Sequence, residues 1–243
     1  MPQGGGKPSL TLSCKVAKWR DGDQLSADAD AEFDKARLKR LDKDNHTCRL
    51  CGFKAKKWQE VHHVDDDHTN NALSNLATVC IFCHMVQHIG FAGTRGEAVL
   101  VWLPEMAQDR LHHVVRSVLV ARRWSARMAN DRHTQRDMKE AIAEMEQGAE
   151  TLMATLESRR GEARERFKTD RPDELANALE SMTDEEYARR GEFLAGARLL
   201  PLGLRKVDGQ DKMPEIVDSW METGGPYANL KPSTWASMLR SAV

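Results

Sequence analysis

Four of the five cysteines form two pairs of the same spacing, Cys48-Arg-Leu-Cys51 and Cys80-Ile-Phe-Cys83. Two thiolates on one tight turn grip one face of a Zn²⁺ ion, and a second such turn completes a tetrahedron. A cage of four protein ligands leaves no open coordination position. The spacing therefore predicts a structural zinc that supplies part of a small domain's folding energy. Gly52, directly after the first pair, suits the positive φ that such a turn often needs. Thiols used this way belong in a reducing compartment better than a disulfide scaffold would. Cys14 stands outside the pattern and reads as a core thiol on a strand.

The chain has 243 residues, enough for one ordinary core and an appended element, or for two small domains. No run approaches the ~18 consecutive apolar residues of a membrane span. The opening MPQGGGKPSL lacks a charged-then-apolar signal, so a cytoplasmic protein with no direct membrane insertion is expected. A formal net charge of −1 argues against a dedicated nucleic-acid binder. Charge is nevertheless concentrated locally, because nine Lys and Arg residues from Lys35 to Lys57 oppose only Asp42 and Asp44. That flank suits a nucleic-acid backbone or an acidic protein segment equally well.

Alternation of Leu10, Leu12, Cys14 and Val16 with Thr11, Ser13 and Lys15 predicts a half-buried strand. A helix follows through FDKARLKRLDKD. Ala98 to Leu103 reads as a strand stopped by Pro104. The next helix is amphipathic, with Leu111, Val114, Val115, Val118 and Leu119 on one face. From Asp131 to Lys168 the chain reads as one long helix with a heptad seam of Met138, Ile142, Met145, Ala149, Leu152 and Leu156. That seam either packs on its own domain or serves a coiled coil or partner. RPDELANALESM and TDEEYARRGEFLAGARLL read as two further helices, the second opened by a Thr183–Glu186 capping box. Short helices surround Trp220 and Trp235. The predicted organisation is a flexible leader over 1–9, a zinc domain with flanking strands and helix over 10–129, and a mostly helical region over 130–243.

Around the cysteines lie His62-His63, Asn75, His84 and His88. His84 and His88 are four apart, on one helical face as a shared metal would require. In the order C-x-x-C, HH, N, C-x-x-C-H-x-x-x-H, the sequence resembles the HNH nuclease, or ββα-metal, superfamily in its four-cysteine form. The expected fold class is α+β: a zinc-stabilised HNH-like ββα domain with an appended irregular helical C-terminal region. The resemblance implies that His62, His84 and His88 hold a second divalent metal such as Mg²⁺, Mn²⁺ or Ni²⁺. It implies His63 as general base, oriented across the loop by Asn75. The loop VDDDHTNN places Asp65, Asp66 and Asp67 where a phosphate would enter, and like charge repels it.

A longer match is more specific. The runs LDKDNHTCRLCGFKAKKWQEV, DDDHTNNALSNLATVCIFC, VLVWLPEMAQDRLHHVV and ARLLPLGLRK resemble, in that order, the IcmJ/DotN family of type IVB secretion systems. The likeness holds from roughly Leu10 to Arg123, with shorter stretches beyond. It implies a cytoplasmic zinc-binding adaptor, peripheral at the inner membrane through the secretion complex. Its partners would be the coupling ATPase (DotL-like) and other coupling-complex proteins, and it would help recruit effector substrates. The family keeps the HNH-like domain as a scaffold, whereas His62, His63, Asn75, His84 and His88 are all present here. The alternative is a metal-dependent HNH endonuclease acting on DNA. A zinc ribbon that binds nucleic acid without cutting it is a third reading.

Overall fold

The computed structural model describes residues 10–14, 27–65, 67–129 and 136–229. Helix α1 (Ala27–Lys43) leads into the first cysteine pair. That pair sits on a knuckle closed by a Thr47–Lys54 bridge and by Cys48 N–H donating to the Phe53 carbonyl at 2.8 Å. Gly52 takes φ +77° on this knuckle, a conformation that only glycine adopts without strain. Strand β1 (Gln59–His63) pairs antiparallel with β2 (Leu76–Cys80), Gln59 opposite Cys80 and His63 opposite Leu76. Every residue of β2 is buried, and Leu41 of α1 clusters with Val61 and Leu76 of the two strands. Helix α2 (Ile81–Gln87) starts where β2 ends, and α3 (Ile89–Thr94) follows it.

Strand β3 (Ala98–Trp102) precedes α4 (Gln108–Ala129), α5 (Arg136–Ser158), α6 (Arg160–Phe167) and α7 (Pro172–Glu180). Two short helices, α8 (Asp184–Ala188) and α9 (Arg190–Phe193), lead into β4 (Ala197–Pro201). β4 returns to pair antiparallel with β3, Ala98 opposite Pro201. A small hairpin of β5 (Lys206–Val207) and β6 (Gln210–Asp211) then precedes α10 (Met213–Met221). The architecture is thus mixed α and β, with three two-stranded antiparallel sheets among the described residues. One hydrophobic cluster runs from Leu12 through Val115 and Leu199 to Trp220.

Four expectations meet a different outcome here. Residues 10–14 make no strand, and Lys15 and Val16 of the expected strand lie outside the described residues. Ser13 bonds to the Val86 carbonyl (2.9 Å) and the Ile89 N–H (3.1 Å), so its neighbours are helix ends that offer no ladder. The Asp131–Lys168 stretch is divided at Arg159 into α5 and α6. Arg159 is held there by its carbonyl, which accepts from Trp102 N–H at 3.2 Å, and by ion pairs to Glu105 and Glu162. The heptad seam is met within the chain: Ile142, Met145, Ala149, Leu152 and Leu156 are buried and α5 packs on α4. ARLL is strand β4 and not the end of a helix. Gly196 breaks the preceding turn at φ +92°, and a Cβ there would lie 2.7 Å from the Trp102 indole. The fourth is Asn75, taken up with the site below. The Thr183–Glu186 capping box is present, Trp220 is buried on α10, and Trp235 and Met138 lie outside the described side chains.

Asp170 ties α6 to the core. Its carboxylate accepts from Arg160 Nε (2.7 Å) and Arg164 Nη2 (2.9 Å), while its carbonyl accepts from Leu100 N–H of β3 (2.9 Å). Burial raises its carboxyl pKa, but the two guanidinium groups outweigh burial and hold it below the usual aspartate value. A lowered carboxylate contributes stability above its unfolded pKa of about 3.9 and loses it as pH falls through the lower folded value. Asp170→Asn is expected to cost about 1–2 kcal/mol at pH 7, discounted because both arginines are partly exposed. Urea titrations at pH 7 and pH 3 check this: the gap between variant and parent should narrow at the lower pH.

Candidate metal centre

Cys48 and Cys51 come from the knuckle, Cys80 from the last position of β2 and Cys83 from the first turn of α2. The fold brings their four sulfurs within 4.8 Å of one another, all buried and none in a disulfide. Cys51 Sγ and Cys80 Sγ are 3.7 Å apart. Four soft donors at this separation suit a tetrahedral ion such as zinc. Cys14 is buried too, but its backbone bonds to the Tyr187 hydroxyl (3.2 Å) and it takes no part in the quartet.

Helix α4 lies against this quartet, which the sequence reading did not anticipate. Arg116 is fully buried, with Nη2 2.7 Å from Cys80 Sγ and 3.6 Å from Cys51 Sγ. Its guanidinium covers the Phe53 ring at 4.0 Å. Burial alone would lower its pKa, but the Cys80 and Cys51 sulfurs more than reverse that. His112 Nδ1 lies 3.3 Å from Cys83 Sγ. Gln108 settles the His112 tautomer. Its Oε1 accepts from Leu199 N–H (2.9 Å) and its Nε2 donates to the Leu199 carbonyl (2.7 Å), so Nε2 also donates to His112 Nε2 (2.9 Å). The His112 proton therefore sits on Nδ1 and points at the Cys83 sulfur. Burial, then Arg116, pushes the His112 pKa down to about 3, so the ring is neutral. The available signal was a pair of polar residues four apart within the apolar stripe of Leu111, Val115, Val118 and Leu119.

His62 and His63 are neighbours on β1, so their side chains leave opposite faces of the strand. His62 joins His84 and His88, and one nitrogen from each lies within 4.8 Å of the others. The ring centroids are 5.5 Å apart for both His62 pairs and 4.7 Å for His84–His88. His88 is the C-cap of α2 rather than a residue of its last full turn, yet it still meets His84. A carboxylate seats this group: Glu60 Oε2 is 2.6 Å from His84 Nδ1. That bond leaves His84 Nε2 as the nitrogen available to an ion. Arg205 bonds to Glu60 and lies 3.1 Å from the buried Glu97, whose other oxygen accepts Lys206 N–H at 2.7 Å. Burial raises the Glu60 pKa, but His84 and Arg205 bring it down to about 2. Glu60, Glu97 and Arg205 also escaped the sequence reading, since nothing local marks Arg205 as a neighbour of β1.

His63 turns the other way, 5 % exposed, and stacks on Phe33 of α1 (5.2 Å) and on His68 (4.9 Å). Its Nε2 lies 3.0 Å from Asn71 Oδ1. The asparagine that reaches His63 is thus Asn71, whereas Asn75 ties the loop to itself. Asn75 Oδ1 accepts from Asp65 N–H (3.0 Å), and its Nδ2 donates to Asp65 Oδ1 (2.7 Å) and the Asn70 carbonyl (2.9 Å). Geometry explains the exchange: Asn75 directly precedes β2 and bonds to the turn after β1, while Asn71 reaches the Nε2 edge of the His63 ring. Asp65 and Asp67 are exposed, and Asp66 lies outside the described residues. Asn75→Ala removes three bonds from a buried side chain and should destabilise the protein by about 2 kcal/mol. Amide exchange should localise the change to residues 65–75; uniform exchange elsewhere with no change there would count against it.

No family model matches this chain. Over 86 residues, 34% of its length, it is 40% identical to the type 4 apparatus protein DotN of Legionella pneumophila. The matched segment spans 40% of that relative's length. The chain thus spans about two fifths of the curated relative it matches, and over that segment it is similar to the IcmJ/DotN family.

Proposed function

We propose that this chain is a component of a type IV secretion system, acting as a zinc-stabilised adaptor. In this reading it binds a DotL-like coupling ATPase and other coupling-complex proteins in the cytoplasm at the inner membrane, and helps recruit effector substrates. The observation that carries the reading is the 40% identity with the type 4 apparatus protein DotN. Two features agree with it. No helix among the described residues is long and apolar enough to cross a membrane. The β1–β2–α2 order, with cysteines at the end of β2 and the start of α2, supports an HNH-like ββα frame over residues 10–129, with the helical region 130–243 appended. Cys48, Cys51, Cys80 and Cys83 would hold a zinc whose contribution is structural. The test is co-elution of purified, zinc-loaded protein with the tail of a coupling ATPase from the same genome. A stoichiometric complex is expected, and failure to form one with any coupling ATPase encoded there sinks the adaptor.

One observation favours a second reading, a metal-dependent HNH endonuclease acting on DNA. His62, His84 and His88 are gathered beside a carboxylate, as second-divalent-metal ligands would be. A bound Mg²⁺, Mn²⁺ or Ni²⁺ would supply Lewis-acid help to a phosphodiester. Against it, His63 is buried under two rings with Nε2 engaged by Asn71, and exposed Asp65 and Asp67 flank its loop. Plasmid nicking with each metal, beside a His63→Ala variant, is expected to show nothing in either protein. Nicking that requires metal and disappears in the variant would make this chain an enzyme.

A further inference from the structure

We propose that Arg116 and His112 are positioning residues of the four-cysteine centre, and that through them metal retention and the seating of α4 are one event. Helix α4 sends Gln108, His112 and Arg116 into the interior, each four residues from the next and all buried. That spacing puts them on one face, and the bonds to Cys51, Cys80 and Cys83 show that this face lies on the sulfurs.

Arg116 carries the argument. A guanidinium is always charged, and a buried charge without a partner is among the costliest things a core can contain. Among the described residues no carboxylate pairs with it, and its Nε has no hydrogen-bond partner. The sulfurs provide its counter-charge, and they carry that charge as ligands of a metal. Four thiolates around Zn²⁺ leave a net charge of about −2, which an adjoining cation offsets. His112 adds an N–H···S bond to Cys83, and Gln108 fixes that proton by clamping Leu199 of β4. The centre is therefore bonded to α4 directly and to β4 through one amide. Two dependences follow. Without Arg116 the sulfurs are less shielded and release zinc faster. Without zinc, Arg116 loses its counter-charge and α4 loosens from the knuckles.

The inference rests on the four cysteines holding a metal. Wild-type protein that binds no zinc would overturn that reading and this one together; a zinc-loaded wild type keeps the two separable. The experiment uses full-length, zinc-loaded protein and follows transfer of zinc to excess 4-(2-pyridylazo)resorcinol. Arg116→Met is expected to release zinc about 10–100-fold faster, the usual scale for removing an outer-shell partner. Arg116→Lys keeps the charge and one donor and should fall between. In cobalt-substituted protein, Arg116→Met should move the sulfur-to-cobalt charge-transfer band to lower energy, a change that loosened packing alone would not produce. A measurement on the unmutated chain guards against a variant that fails to fold: chelating the zinc should deprotect the amides of residues 108–121 in step with metal loss. An Arg116→Met protein with the parental release rate and an unshifted band overturns the proposal. So do α4 amides that stay protected after complete metal removal.

Discussion

A Cys80→Ser chain is expected to lose stoichiometric zinc and to melt about 10–20 °C below the parent. Cys80 has several roles at one atom. It ends β2, its sulfur accepts the Cys83 N–H at 3.5 Å to open α2, and it is the nearest sulfur to Arg116. Removing one thiolate from a closed cage costs much of the metal's contribution to folding. It also leaves the buried guanidinium short of counter-charge. A loss of about 5 kcal/mol, at the upper end of single-site effects, converts at roughly 2–4 °C per kcal/mol for a chain of this size. Elemental analysis of the purified variant and a thermal melt read the two effects. A variant with one zinc per chain and an unchanged melting temperature would remove these cysteines from the metal centre. Cys14→Ser is the matched control, and it should keep its zinc because Cys14 lies outside the quartet.

Arg205→Met should cost about 3–5 kcal/mol, although Arg205 lies far from β1 in the sequence. Its guanidinium pairs with two carboxylates, Glu60 and the fully buried Glu97. Breaking a buried pair by deleting one partner leaves the other charge uncompensated, which is the expensive way to disrupt it. The double variant Arg205→Met, Glu97→Gln should recover part of the loss, because it removes one stranded charge as well. Denaturant titrations of the single and double variants measure this coupling. Equal stability of parent and single variant would show that water screens the network. The same change should disturb His84, which Glu60 holds at 2.6 Å, and the His84 ring signals should shift while those of His46 stay put.

Several local features were legible because they are written in short spacings. Each of the two C-x-x-C pairs, the positive φ of Gly52, strand β3, the α4 apolar face and the Thr183–Glu186 capping box depends on residues close to one another in sequence. The helix reading of ARLL failed for the opposite reason. Its apolar run suits either element, and pairing with β3 together with the indole against Gly196 made it a strand. The strand expected at Leu12 and Cys14 was right about burial, but the described residues 10–14 join no ladder, since alternation reports a face but not a neighbour.

The sequence by itself determined which residues could hold a metal, because ligand chemistry and the bite of a C-x-x-C turn are local properties. Only the tertiary structure decided what surrounds them. Arg116 and His112 reach the sulfurs, Arg205 reaches Glu60, and Asn71 rather than Asn75 reaches His63. Each of those contacts joins separate elements or opposite ends of a loop, and many polar side chains could have satisfied them. Periodicity names the face of a helix, but the charge that face must neutralise is known only when the other element arrives.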